Sequence, residues 1–157
     1  MAFLVVAVAE EGAKFFFLKR RTWKDPNYNY RFDGIVYSVF LSLGFAAFEN
    51  ISYVMGYGLT TALLRAVLAI PGHMGFAVFM GLFYGRAKLC ADQGDVRGRK
   101  RNLWAAYLSA VVLHGFYDAC ALIGTALSAL LFLAFVIVMY IVVIRMVKKQ
   151  SQTDAPV

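Results

Sequence analysis

The feature that most constrains this chain is the alternation of long apolar runs with compact basic clusters. Fourteen of the 16 lysines and arginines lie in three places, five in Lys19–Arg31, six in Arg86–Arg101 and three in Arg145–Lys149; only Lys14 and Arg65 stand apart. The runs between the clusters are long enough to cross a hydrocarbon core, which takes about 20 residues of helix. Of the 157 residues 61% are hydrophobic and 16% charged, against roughly 45–50% and 25% in a soluble domain. The expected fold is all-α, a multi-pass transmembrane helical bundle of about five spans.

The spans are drawn at Ala2–Leu18, Gly34–Met55, Thr60–Tyr84, Leu103–Ile123 and Leu127–Met146, each bounded by charge, Gly or Pro. Their connections alternate between polar and basic (Lys19–Asp33, Arg86–Asn102) and short and uncharged (Gly56–Leu59, Gly124–Ala126). By the positive-inside rule this is a cell-membrane protein whose basic loops and carboxyl terminus are cytoplasmic. The net charge of +7 is thereby explained as basic flanks of spans, and no nucleic-acid partner is expected. The chain divides into a helical bundle, residues 1–149, and a polar tail, 150–157, expected to be disordered. No signal peptide is read, since no charged segment precedes Phe3 and no small-residue cleavage site follows the first apolar run. Cys90 and Cys120 fall at opposite ends of the bundle, too far apart for a mutual disulfide.

Eight ionisable residues nevertheless fall inside the spans: Glu10, Glu11, Lys14, Glu49, Arg65, His73, His114 and Asp118. A charge at a helix centre costs about +2.5 to +3.5 kcal/mol on the insertion scale, while each Leu, Ile, Phe or Val returns only about −0.3 to −0.6 kcal/mol. The first span, with two acids and a lysine, therefore cannot insert alone. Its charges must face a polar interior, which makes them site candidates. At 1.5 Å rise per residue, Glu10, Glu49, His73, His114 and Asp118 sit at heights of about 12–23 Å from the inner helix ends, one layer near the midplane.

Spacing within each helix refines the set. His114 and Asp118 are four apart on one face, so the carboxylate can orient the imidazole. Glu10 and Lys14 are likewise four apart, and Glu11 points about 100° away. Asn50 follows Glu49, a pairing equally suited to a polar clasp between helices. Pro71 removes a backbone hydrogen bond two residues before His73 and can kink the third span. Arg65, two turns nearer the outer surface, can snorkel, pair with a carboxylate or contact substrate. Trp23, Tyr28, Tyr30, Tyr53, Tyr57 and Trp104 read as interface anchors.

These motifs, E-E-x-x-K at Glu10, Glu11 and Lys14, F-x-x-x-E-N at Phe45, Glu49 and Asn50, Arg65 before His73, and H-x-x-x-D at His114 and Asp118, resemble the PrsW family of intramembrane proteases, relatives of the type II CAAX prenyl endopeptidases. The CAAX branch carries E-E-x-x-x-R and F-x-x-x-H where this chain has Lys14 and Glu49, which favours PrsW. The resemblance implies hydrolysis of a peptide bond in a membrane-spanning substrate, of the anti-sigma-factor kind, and further amino-terminal helices in a longer protein.

For such chemistry Glu10 or Glu11 would deprotonate water, His73 would assist or shuttle the proton, and His114 with Asp118 would stabilise the oxyanion or position the water, with Glu49 completing the cluster. Lys14, Asn50 and Arg65 would bind substrate or support the site. In the metal version, His73, His114 and a carboxylate from Glu49 or Asp118 would hold a divalent ion such as zinc. No H-E-x-x-H helix is present, and both versions stand open at this level. The rival class is a proton-coupled or metal-ion transporter using the same cluster, although no inverted repeat is found.

Overall fold

The computed structural model describes residues 2–157; Met1, with which the expected bundle begins, lies outside it, as do the side chains at 2–4, 61, 62 and 64. Five helices follow in order: α1 (Ala2–Thr22), α2 (Asp33–Tyr57), α3 (Leu59–Asp92), α4 (Val96–Ile123) and α5 (Ala126–Gln152). Among the described residues, four contain segments long and apolar enough to cross a membrane, namely Asp33–Tyr57, Arg65–Asp92, Val96–Ile123 and Ala126–Gln152. The helix left out is α1, whose composition already barred insertion on its own.

The structure resolves how α1 is accommodated. Ala7, Glu11, Lys14 and Leu18 are buried at 1% exposure or less, and their spacing of four, three and four places them on one stripe. The opposite surface carries the exposed Val5, Val8, Phe16 and Phe17. Relative to a soluble helix this one is inverted, with charge inward and hydrocarbon outward. Its last turn ends on Lys19, Arg20 and Arg21, which suit the negative end of the helix dipole.

Helix α3 occupies the centre and packs against α2, α4 and α5. Its contact with α2 is a near touch of backbones. A Cβ on Gly81 would lie 2.5 Å from the Gly34 carbonyl oxygen and from Ile35 Cα, and one on Gly34 would lie 2.8 Å from Gly81 O and Gly85 N. Gly81 and Gly85 form a small-xxx-small pair, the spacing that lets two membrane helices approach closely. Helix α3 also continues through Pro71. At the uncharged end α4 closes on Gly124 in the left-handed region (φ 70°), and Thr125 and Ser128 cap α5 reciprocally. That glycine is required because a side chain there would strain the backbone.

Three expectations are corrected at the basic end. The segment Arg86–Asn102 is largely helical, with α3 running to Asp92 and α4 starting at Val96; Asp95 caps α4 by accepting from Gly98 N at 2.8 Å. No proline interrupts this segment, so the helices extend past the apolar limit. The tail, expected to be disordered, lies along the α1–α2 connection. Arg31 N donates to Ala155 O at 2.8 Å and Val157 N to Asn29 O at 2.9 Å, while Asp154 accepts from Phe32 N at 2.9 Å. The turn before α2 has backbone donors and acceptors without helical partners, and an extended tail satisfies them. Tyr28, read as an interface anchor, is instead buried at 2% against Tyr37 and Tyr84. Burial first, and then the neighbouring Tyr84, pushes its hydroxyl well above the usual tyrosine range.

The α2–α3 crossing predicts that Gly81→Ala destabilises the bundle by about 1–3 kcal/mol, because backbone must move to admit the methyl group. Gly44→Ala, where a Cβ meets nothing within 4 Å, should change stability by less than about 0.5 kcal/mol. Unfolding in detergent micelles measures both.

Candidate active site

Four helices deliver one continuous chain of polar contacts, and Lys14 and Glu11 of α1 sit at its middle. Lys14 Nζ donates to Glu11 Oε1 at 2.7 Å and to Glu10 Oε2 at 3.4 Å. It lies 3.1 Å from His73 Nδ1 of α3. An ammonium has only donors, so His73 Nδ1 accepts and its Nε2 carries the proton, directed at Glu49 Oε2 of α2 at 3.2 Å. Arg65 Nη2 closes that side with a 2.8 Å ion pair to the same Glu49 oxygen.

On the other side, Glu11 Oε1 also receives His114 Nδ1 of α4 at 2.9 Å, and Asp118 Oδ2 stands 3.4 Å from His114 Nε2. An imidazole with a carboxylate on each nitrogen satisfies both when both are protonated. The two rings meet edge to face, with centroids 5.0 Å apart.

All the charged and imidazole candidates read from the sequence thus join one network. Asn50 does not: its Oδ1 is buried with no hydrogen-bond partner among the described residues. Glu11 and Lys14 are fully enclosed, whereas the Glu10 side chain keeps 28% exposure. Glu10, Glu49, Arg65, His73, His114 and Asp118 line a cavity of about 790 Å³ that reaches the α4–α5 turn.

Several supporting residues carried no signal in the sequence. Phe76 stacks on His114 at 5.1 Å and 19° and meets His73 edge-on. Ser42 Oγ donates to the His73 carbonyl at 3.1 Å, and Tyr53 lies under the Arg65 guanidinium at 3.6 Å. Phe76 sits three residues after His73 and is one of 14 phenylalanines, so only the packing distinguishes it. Tyr53, assigned to the interface from the sequence, lies four residues after Glu49 and lines the cavity beside it.

The donor set fits a metal ion. Glu10, Glu11, His73 and His114 each offer a ligand atom within 4.8 Å of the others. Glu11 Oε2 is buried without a hydrogen-bond partner. Four carboxylates face only two permanent cations, Lys14 and Arg65, an excess of negative charge that a divalent ion offsets. The acids in this group are those of α1; Glu49 and Asp118, assigned to the metal on spacing alone, bond the outward sides of the two imidazoles instead.

Histidines and glutamates gathered in a buried cluster beside a cavity of a polytopic helical bundle suit metal-assisted hydrolysis inside a membrane. The comparisons with known proteins agree. The chain belongs to the PrsW family of intramembrane metalloproteases, which matches residues 1–146. It is 37% identical to Protease PrsW of Halalkalibacterium halodurans over 98% of this chain and 69% of that protein. Identity to Protease PrsW of Geobacillus kaustophilus is 41% over 74% of this chain and 50% of that one, and to Protease PrsW of Bacillus subtilis 36% over 98% and 68%. The chain therefore spans between half and about two thirds of the length of these relatives. No solved structure matches it. The family expectation is met, and it separates the protease reading from the transporter.

The enclosure of Lys14 predicts a large penalty for removing it. Lys14→Met strands the Glu11 carboxylate without its cation and should cost about 3–5 kcal/mol. Adding Glu11→Gln should recover most of that loss, and a double-mutant cycle of unfolding free energies measures the coupling.

Proposed function

We propose that this chain forms the catalytic bundle of a protease that hydrolyses a peptide bond in a membrane-spanning protein, of the anti-sigma-factor kind, with its basic loops and carboxyl terminus in the cytoplasm. The observation that carries this reading is the convergence of Glu10, Glu11, His73 and His114 within 4.8 Å, with Glu10, His73 and His114 on the wall of a cavity inside the bundle.

Glu11, His73 and His114 are the residues that would hold a divalent ion such as zinc, a two-histidine, one-carboxylate set of the catalytic type. The chemistry such an ion supplies is Lewis-acid polarisation of a carbonyl. Glu10 is the general base in this reading. It reaches the cavity, its one bond within the cluster is the long 3.4 Å contact to Lys14, and it can accept the proton of an attacking water. Asp118 fixes the His114 ring from its far side, and Glu10, having taken the proton of the water, can return it to the leaving amine. Glu49 fixes the His73 ring from its far side, as an outer carboxylate does for a liganding imidazole. Arg65, with its guanidinium spread over Tyr53, stands on the cavity wall where an extended substrate can lend it a carbonyl. Closure by apolar helices keeps bulk water from competing with these contacts.

The test is reconstitution with a tagged single-span substrate. Glu10→Gln should lower cleavage by about 10²–10⁴-fold while leaving metal content and thermal stability near wild type. His73→Ala and His114→Ala should lose both cleavage and metal, and a chelator should stop the wild-type protein. Wild-type cleavage by all three variants would refute the assigned site, and full activity in metal-free protein would remove the ion from the scheme.

A further inference from the structure

Helices α1 and α4 leave a second opening between them, lined by neither histidine. Gly12 and Phe15 of α1 and Leu103, Trp104 and Tyr107 of α4 line a slot of about 370 Å³, which Lys19 and Lys100 border. The walls are aromatic, with Phe15 and Tyr107 centroids 6.1 Å apart and Trp104 and Tyr107 6.4 Å apart. Gly12 keeps the slot wide, since a Cβ there would already contact the Tyr107 ring at 3.7 Å.

Both lysines are exposed, and neither has an acidic partner among the ion pairs of the described residues. Two like charges beside one apolar slot call for an anion that also carries hydrocarbon. The slot opens at the end of the bundle where the basic clusters gather, and Trp104, 64% exposed, is placed as an interfacial anchor. Basic pockets between membrane helices at such an interface suit anionic headgroups.

We infer that this slot binds one anionic phospholipid, its phosphate between Lys19 and Lys100 and an acyl chain against Phe15, Leu103 and Tyr107. The consequence reaches the buried centre, because α1 carries Glu10, Glu11 and Lys14 yet cannot insert by its own apolarity. A lipid wedged between α1 and α4 adds hydrocarbon contact along the helix that most needs it. The inference concerns lipid binding and does not depend on whether the chain cleaves peptides.

The test places the full chain in nanodiscs of phosphatidylcholine and phosphatidylglycerol in equal amounts and releases it for native mass spectrometry, with a photoactivatable phosphatidylglycerol to map contacts. One phosphatidylglycerol should be retained, with cross-links on Phe15, Leu103 or Trp104. The double variant Lys19→Gln/Lys100→Gln should lose about 30-fold in preference for the anionic lipid, from two lysines each contributing near the surface. Lys148→Gln/Lys149→Gln, with the same change in charge on α5, should lose less than about twofold. Equal retention of the two lipids, an equal loss in both double variants, or cross-links confined to other helices would overturn the assignment. So would displacement of the lipid by inorganic phosphate alone, or a second copy of the chain cross-linked into the slot. The cross-linking on wild-type protein decides the matter even if a double variant fails to fold.

Discussion

The contact between Lys14 and Glu11 is the constraint around which the rest is arranged. Two opposite charges at 2.7 Å, both enclosed, have been withdrawn from water on a helix whose other face meets lipid. The desolvation of such a pair is repaid only if its remaining hydrogen-bonding capacity is filled. His73 and His114 fill all but Glu11 Oε2, one accepting from the ammonium and the other bonding Oε1 of the carboxylate. Each histidine in turn needs a partner for its second nitrogen, and Glu49 and Asp118 supply them. The network is therefore a succession of obligations in a low-dielectric interior, each polar atom calling for the next.

That succession also ties stability to chemistry. Lys14 and Glu11, which keep α1 in the bundle, bond the two histidines on the cavity wall, so the imidazoles are held by contacts the fold itself requires. Preorganisation of this kind lets a site present charge without rearranging at the moment of reaction. The crossing of α2 and α3 through glycine backbone contributes at a distance, by fixing Ser42 against the carbonyl of His73 and Glu49 against its ring. The carboxyl-terminal tail ties the connection before α2 to the end of α5, which secures the basic end.

The helical bundle was legible in the sequence because hydrophobic length and the placement of lysines and arginines are local properties. The spans beginning near Gly34, Thr60, Leu103 and Leu127 agree with α2 to α5 except where polar helix continues beyond the apolar limit, as at Arg86–Asp92. That continuation escaped notice because hydropathy reports where a helix can lie in lipid and carries no information on where it stops. The tail escaped for a related reason: its composition is polar, and its order comes from backbone pairing with a turn more than a hundred residues earlier. The candidate site was legible as a set, because ionisable residues in apolar helices are costly and few.

What the sequence determined by itself was the class of fold, the eight charged or imidazole residues within apolar helices and a common level for five of them, since each follows from the price of a charge in hydrocarbon and a rise of 1.5 Å per residue. Which atom faces which was decided by the tertiary structure alone. Spacing paired His114 with Asp118 and Glu10 with Lys14, yet the central contacts join Glu11 to Lys14 and His114, and His73 to Lys14 and Glu49. Three of these cross between helices, where rotation about each axis sets the partner. Neighbours within one helix follow from periodicity, whereas that rotation follows from how the whole bundle packs.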